Sequence, residues 1–116
     1  MTPFKLTEAL LEEIALLISN KDNKALKALL LDIHFADVAE IVNELNSEEA
    51  TYLIKLLDSE KTSDILTELD EDMRESILAN LSAKEIAEEL DELDTDDAAD
   101  IVAELPTEMI GKVISA

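Results

Sequence analysis

The chain has 116 residues, which fits a single domain, and 47% of them are hydrophobic, so an apolar core can form. It has no cysteine and only one glycine, which excludes a disulfide framework, a cysteine zinc site and a glycine-rich phosphate loop. The formal net charge is −20, and so negative a surface repels nucleic acid and anionic membranes but attracts cations or basic partners.

The first third of the chain predicts two helices with a nearly balanced charge. Residues 5–19 carry apolar side chains at helical spacing, and residues 21–31 predict a second helix. Residues 1–33 contain five acids and four lysines, whereas residues 34–116 contain 24 acids and five bases. We expect residues 1–33 to cap one end of a helical stack that continues through residues 34–116 in the same domain.

From residue 33 onward the sequence repeats every twelve residues. Aliphatic side chains lie three and four positions before each anchor of the repeat, which puts them on one face of a helix, and only Glu89 departs from this pattern. Residues suited to capping follow each anchor, and Ser82 with Glu85 has the spacing of a capping box. The anchors are Ile33, Leu45, Leu57, Leu69, Leu81, Leu93 and Leu105.

Each twelve-residue unit therefore predicts one helix of eight to ten residues and a tight turn. Helices this short are not stable alone in water, so they must stack. We predict an all-α fold, a superhelical α-solenoid of short helices in which two successive repeat units form each helical hairpin. The alternative, a coiled coil, needs a seven-residue repeat, whereas this repeat is interrupted by capping residues.

No arrangement of residues in the sequence indicates catalysis. His34 is the only histidine and no Gly-x-Ser-x-Gly turn is present, which argues against a catalytic triad. His34 and Asp37 could form a partial metal-ligand pair, but a helix start with an acid in its first turn explains them better. Three aromatic residues are too few for a sugar-binding cleft. We predict that the chain is not an enzyme.

Ten acids and no base lie between residues 85 and 104. Asp96, Asp100 and Glu104 follow a four-residue spacing, so they share one helical face. Carboxylate oxygens are hard ligands that suit Mg²⁺ and Ca²⁺. The alternative is a solvated face on which Asp96 and Asp97 stabilise the dipole of their own helix.

A similar acidic stripe is expected on the preceding helix. It consists of Glu85, Glu88 and Glu92, and Glu89 stands among them where the repeat has an aliphatic residue. We expect these four glutamates to form a face turned toward a partner. The longest apolar run, residues 14–18, falls far short of the roughly 20 residues that a membrane span needs, so we expect no direct membrane insertion.

The order of these motifs resembles the N-terminal cytosolic domain of the MgtE-type magnesium transporter family. The resemblance runs from about residue 25 to residue 106 and is most specific in the segment DELDTDDAADIVAELP, residues 91–106. Phe35 departs from the proline usual in the family. The resemblance implies a Mg²⁺-sensing domain on the cytoplasmic side of the cell membrane. It also implies CBS domains and a transmembrane pore in the same full-length chain, which forms a homodimer.

By the same resemblance, Mg²⁺ binds between this domain and a CBS domain and favours the closed pore. The implied ligands are Asp64, Asp96 and Asp100, with Asp97 and Glu104 as weaker candidates. We expect this chain to be part of a longer protein, and the isolated domain to be monomeric, to bind Mg²⁺ weakly and to accept Ca²⁺ as a substitute. The alternative is an adaptor solenoid that binds a protein, as in the flagellar motor switch protein, although an adaptor needs no ten-acid run.

Overall fold

The computed structural model describes residues 5–115, and this part of the chain is all-helical. Its helices are α1 (Glu8–Ser19), α2 (Asn23–Leu31), α3 (Phe35–Asn43), α4 (Ser47–Leu56), α5 (Ser59–Glu68), α6 (Glu71–Ala79), α7 (Ala83–Asp91), α8 (Thr95–Glu104) and α9 (Thr107–Ser115). The all-α prediction is confirmed. Within the described range no helix has both the length and the apolar character needed to cross a membrane.

The first two helices begin later than the sequence pattern predicted. α1 begins three residues later because the Thr7 hydroxyl accepts a hydrogen bond from the N–H of Leu10, at 3.1 Å, and caps the helix. α2 begins two residues later because Lys21 has a φ of 54°, in the left-handed region, and cannot be helical. The carboxylate of Asp22 then accepts a hydrogen bond from the N–H of Ala25 and becomes the cap.

Capping side chains lie between successive repeat units and mark where the next helix begins. Ser82 and Glu85 form the predicted capping box, in which each side chain accepts a hydrogen bond from the backbone N–H of the other residue. His34 caps α3, because its Nδ1 accepts a hydrogen bond from the N–H of Ala36, and Asp37 lies in the first turn. The prediction that His34 marks a helix start is therefore confirmed.

Helix contacts follow a spacing of two helices along the chain. α3 contacts α5, α5 contacts α7 and α7 contacts α9, while α4 contacts α6. This spacing equals two units of the twelve-residue repeat. α1 contacts α2 and α4 at the N-terminal end. The division into a cap and a repeat region at residue 33 stays a prediction, and residues 1–4 and 116 lie outside the described residues.

The core consists of aliphatic side chains from the repeat. Four positions before the anchors, Ile41, Leu53, Ile65 and Ile77 are fully buried, and burying one such side chain contributes about 1.5–3 kcal/mol. The same position in α7 holds Glu89, which is only 7% exposed. The repeat register therefore directs this position inward whichever residue occupies it.

Candidate functional site

The first candidate surface is the acidic face of α8. Asp96 and Asp97 lie in its first turn, where the unsatisfied N–H groups of a helix favour negative charge. Asp100 lies one turn further on, beyond the reach of that effect. All three side chains are exposed. The helix dipole thus accounts for the first two carboxylates but not for Asp100.

Three of the predicted metal ligands line a small cleft of about 110 Å³ formed by α5, α6 and α8. They are Asp97, Asp100 and Glu104, and the other lining residues are Thr67, Arg74 and Ile101. Asp64 lies on α5 one turn before Thr67, whose hydroxyl donates a hydrogen bond to the backbone carbonyl of Asp64 at 2.7 Å. Asp64 and Asp96 are exposed but do not line this cleft.

Arg74, the only arginine in the sequence, is an important residue of this cleft that the sequence patterns missed. Its guanidinium forms two hydrogen bonds to the carboxylate of Glu104, at 2.7 and 2.5 Å, and the two side chains are 15% and 18% exposed. It also donates to the carbonyls of Leu66 and Leu69 at the end of α5. A lone arginine among many acids was the available signal, but its partner is distant in the sequence and lies two helices further along the chain.

The ion pair with Arg74 distinguishes Glu104 from the other candidate metal ligands. Hydrogen bonding to the guanidinium lowers the pKa of Glu104, so this carboxylate is both charged and engaged. Among residues 5–115, the carboxylates of Asp64, Asp96, Asp97 and Asp100 have no hydrogen-bond or ion-pair partner. In the same range, no group of three or more histidine or acidic side chains could hold a metal ion by itself.

The second candidate surface is the acidic stripe on α7. Glu88 and Glu92 are exposed, while Glu85 is half-buried and its carboxylate lies 3.7 Å from the ammonium group of Lys55. The hydrogen bond from the N–H of Ser82 lowers the pKa of Glu85. Glu85, Glu88 and Lys55 line a cleft of about 280 Å³ between α7 and the turn that joins α4 to α5.

Glu89 does not belong to the exposed stripe. Both oxygens of its carboxylate lie close to the hydroxyl of Thr62 on α5, at 2.6 and 2.8 Å. The expectation that Glu89 turns toward a partner is corrected, because the repeat register points this side chain at α5. The pKa of Glu89 is raised to about 7, chiefly by burial and also by the charges of Glu88 and Glu92, while the Thr62 hydrogen bond acts to lower it.

Residues 33–116 match the family described as the MgtE intracellular N domain. The chain belongs to this family. The match covers all the twelve-residue repeats and both acidic surfaces of the MgtE intracellular N domain, and it confirms the resemblance seen in the sequence. The family is a domain family and not an enzyme family. No curated protein matches this chain.

One solved structure similar to this domain is described as the crystal structure of the soluble part of a magnesium transporter. The two share 16% sequence identity with a TM-score of 0.50. The similarity covers 93% of this chain and 48% of that one, so this chain spans about half the length of the solved structure. At this identity, the comparison shows that the two chains share a fold.

Proposed function

We propose that this MgtE intracellular N domain is a cytosolic Mg²⁺ sensor of a magnesium transporter. The CBS domains and the pore would belong to the same full-length chain, in a homodimer. The observation that carries the proposal is the state of Asp64, Asp96 and Asp100, whose carboxylates are exposed and have no partner among residues 5–115. Unengaged carboxylates at these positions are free to bind a cation together with a second surface.

The donor chemistry of these residues fits Mg²⁺. Mg²⁺ prefers oxygen ligands, keeps several waters and takes one or two carboxylates from a protein. Asp96 and Asp100 are four residues apart on α8 and could supply one carboxylate each, and Asp64 could supply one from α5. Arg74 places a positive charge in the cleft beside Asp97 and Asp100, which disfavours a cation inside it. We therefore place the proposed Mg²⁺ at the exposed carboxylate oxygens of Asp64, Asp96 and Asp100, outside the cleft.

The acidic surfaces give these residues a regulatory role. At low Mg²⁺, the exposed aspartates of this domain repel an acidic CBS surface, and the two domains separate. A bound Mg²⁺ supplies positive charge that offsets this repulsion, and Ca²⁺ could substitute for it. The aspartates then stabilise the compact arrangement and shift its population by the difference in affinity between the two states.

The test measures compaction of the full-length transporter as Mg²⁺ is titrated, by energy transfer between this domain and the CBS domain. The variants Asp64→Asn, Asp96→Asn and Asp100→Asn remove one carboxylate charge each without a large change in shape. We expect each to raise the Mg²⁺ concentration at the midpoint about tenfold, which corresponds to a loss of about 1.4 kcal/mol.

The matched control is Asp72→Asn, which removes the same charge from an exposed position in the first turn of α6. Its midpoint should stay close to that of the native protein. If the three variants behave like this control, the aspartates form only a solvated face. For the isolated chain we expect weak Mg²⁺ binding, so a low-micromolar isotherm would contradict the shared site.

A further inference from the structure

Two of the four buried polar residues among residues 5–115, Glu89 and Thr62, contact each other within the aliphatic core. Glu89 lies two repeat units after Ile65, at the equivalent position of the repeat, and Ile65 is fully buried. Thr62 likewise stands between Val38 and Ile86 in the repeat, both of which are buried. Thr62 is itself fully buried, and its hydroxyl lies 2.6 and 2.8 Å from the two oxygens of Glu89. Glu89 and Thr62, each in place of an aliphatic residue, therefore form one polar pair between α5 and α7.

The hydrogen bonds of this pair suit a neutral carboxylic acid better than a carboxylate. Thr62 has one hydroxyl proton, so it can donate to only one oxygen of Glu89 at a time. A buried carboxylate usually needs several donors to remain charged, and Thr62 is the one side chain that donates to it among the described residues. When protonated, Glu89 can donate to Thr62, and every polar atom of the pair then has a partner.

The surrounding charges also favour the neutral form. The charged side chains on the elements around Glu89 are Glu60, Lys61, Asp64 and Glu68 on α5, Lys84, Glu85, Glu88 and Asp91 on α7 with Glu92 directly after it, Glu108 and Lys112 on α9, and Lys55 and Asp58 at the cleft between α4 and α5. Of the four lysines, Lys55 already pairs with Glu85, Lys61 donates to the backbone carbonyl of Leu30 on α2, and Lys84 and Lys112 are exposed. Acids thus outnumber bases, and ionised Glu89 would add a further negative charge to this group.

We propose that Glu89 and Thr62 form a proton-binding site that tightens the packing of α7 on α5 when a proton is bound. Glu89 also lines the cleft of about 280 Å³, so protons and water can reach it from solvent. Because α7 also contacts α9, ionisation of Glu89 weakens the attachment of both helices to the rest of the stack. The site belongs to this chain alone and does not depend on Mg²⁺.

The sign of the pH effect follows from the pKa of Glu89. It is about 7 in the folded chain, against an ordinary value of 4.5, so the folded state binds more protons than the unfolded state between these values. The stabilisation is complete below about pH 4.5 and is lost as the pH rises through about 7. The free energy of unfolding should therefore contain a component that falls over this window.

The direct test is a titration of the Glu89 side-chain carboxyl carbon by NMR in the 116-residue chain. We expect a midpoint near 7 for Glu89. A Glu89 midpoint close to 4.5 overturns the proposal. The same chain is then unfolded with urea at several pH values from 5 to 8.

Substitutions separate a proton-binding role from simple packing. Glu89→Gln should lose the component of stability that falls between pH 5 and 8, whereas the control Glu88→Gln should keep it. Thr62→Val removes the hydrogen bond that lowers the pKa of Glu89, so the Glu89 midpoint should move to higher pH. Thr62→Ser keeps a hydroxyl and should leave the midpoint near its native value. Equal midpoints in the valine and serine variants would overturn the role of Thr62.

Discussion

Glu89 on α7 is buried and Glu104 on α8 is half-buried, and the two regions favour opposite protonation states of these glutamates. Glu89 on α7 contacts the neutral hydroxyl of Thr62, and burial raises its pKa to about 7. Glu104 at the end of α8 contacts the guanidinium of Arg74, which lowers its pKa. Each partner lies on the helix two before that of its glutamate. The charge of the partner, and not burial alone, therefore decides which protonation state each interface favours.

The two regions should consequently respond to pH in opposite directions. Protonation strengthens the contact at Glu89, and the gain is lost as the pH rises through about 7. Glu104, with a lowered pKa, stabilises the fold above its ordinary value of 4.5, and this contribution is lost as the pH falls through its folded pKa. Substitutions in the two regions can isolate each response.

The largest expected effect is at Arg74. Arg74→Met removes the positive charge and leaves the mostly buried carboxylate of Glu104 and the carbonyl of Leu69 without their donor. We expect the free energy of unfolding at pH 7 to fall by about 3 kcal/mol, as for other ion pairs broken by loss of one partner. The measurement is urea unfolding. Lys84→Met, at an exposed position of α7, is the control, and an equal loss in both variants would contradict the role of the pair.

The second effect is a gain, because Glu89→Leu restores the aliphatic residue of the repeat. At pH 8 the native side chain is largely charged, so replacing it should raise the free energy of unfolding by about 2 kcal/mol. At pH 5 the gain should be smaller, since the native acid is then neutral. Thr62 can hydrogen-bond within its own helix once Glu89 is gone. Glu88→Leu, an exposed control, should give no gain at either pH.

Much of the fold could be predicted from the sequence because it depends on local signals. The twelve-residue period, the aliphatic anchors and the Ser82 capping box are properties of nearby residues. The predicted starts of α1 and α2 were wrong, because the caps at Thr7 and Asp22 and the left-handed backbone of Lys21 determine where these helices begin. Those features carry no periodic pattern.

The candidate site was less predictable because it depends on contacts between distant helices. The sequence marks Glu89 as an exception to the repeat, but it does not show that Thr62 lies opposite it. It likewise gives no means of pairing Glu104 with Arg74 rather than leaving it free to bind a metal ion. For the same reason, exposed Asp64, Asp96 and Asp100 could be proposed as ligands from their motif but not placed relative to one another.

Glu104→Gln should have an intermediate effect that depends on pH. Glutamine keeps the shape and one acceptor but removes the charge, so we expect a loss of about 1.5 kcal/mol at pH 7. Because protonation also removes this charge from the native side chain, the native and variant stabilities should converge as the pH falls toward 3. Unfolding from pH 7 to 3 measures the difference. A constant difference across this range would show that the shape of the Glu104 side chain, and not its charge, stabilises the contact between α6 and α8.

The smallest expected effect is the difference in stability loss between substitutions of the N-terminal caps of α7 and α8. The Ser82 hydroxyl accepts a hydrogen bond from the N–H of Glu85 at 3.1 Å, so Ser82→Ala should lower the free energy of unfolding by about 1 kcal/mol. Asp94 occupies the same cap position of α8 without a side-chain cap hydrogen bond, and the acids Asp96 and Asp97 follow it. Asp94→Ala should therefore cost less than Ser82→Ala, because it removes no hydrogen bond and relieves repulsion in the acidic run. Equal losses in urea unfolding would mean that the charge of Asp94 on the helix dipole stabilises α8 as much as the capping box stabilises α7.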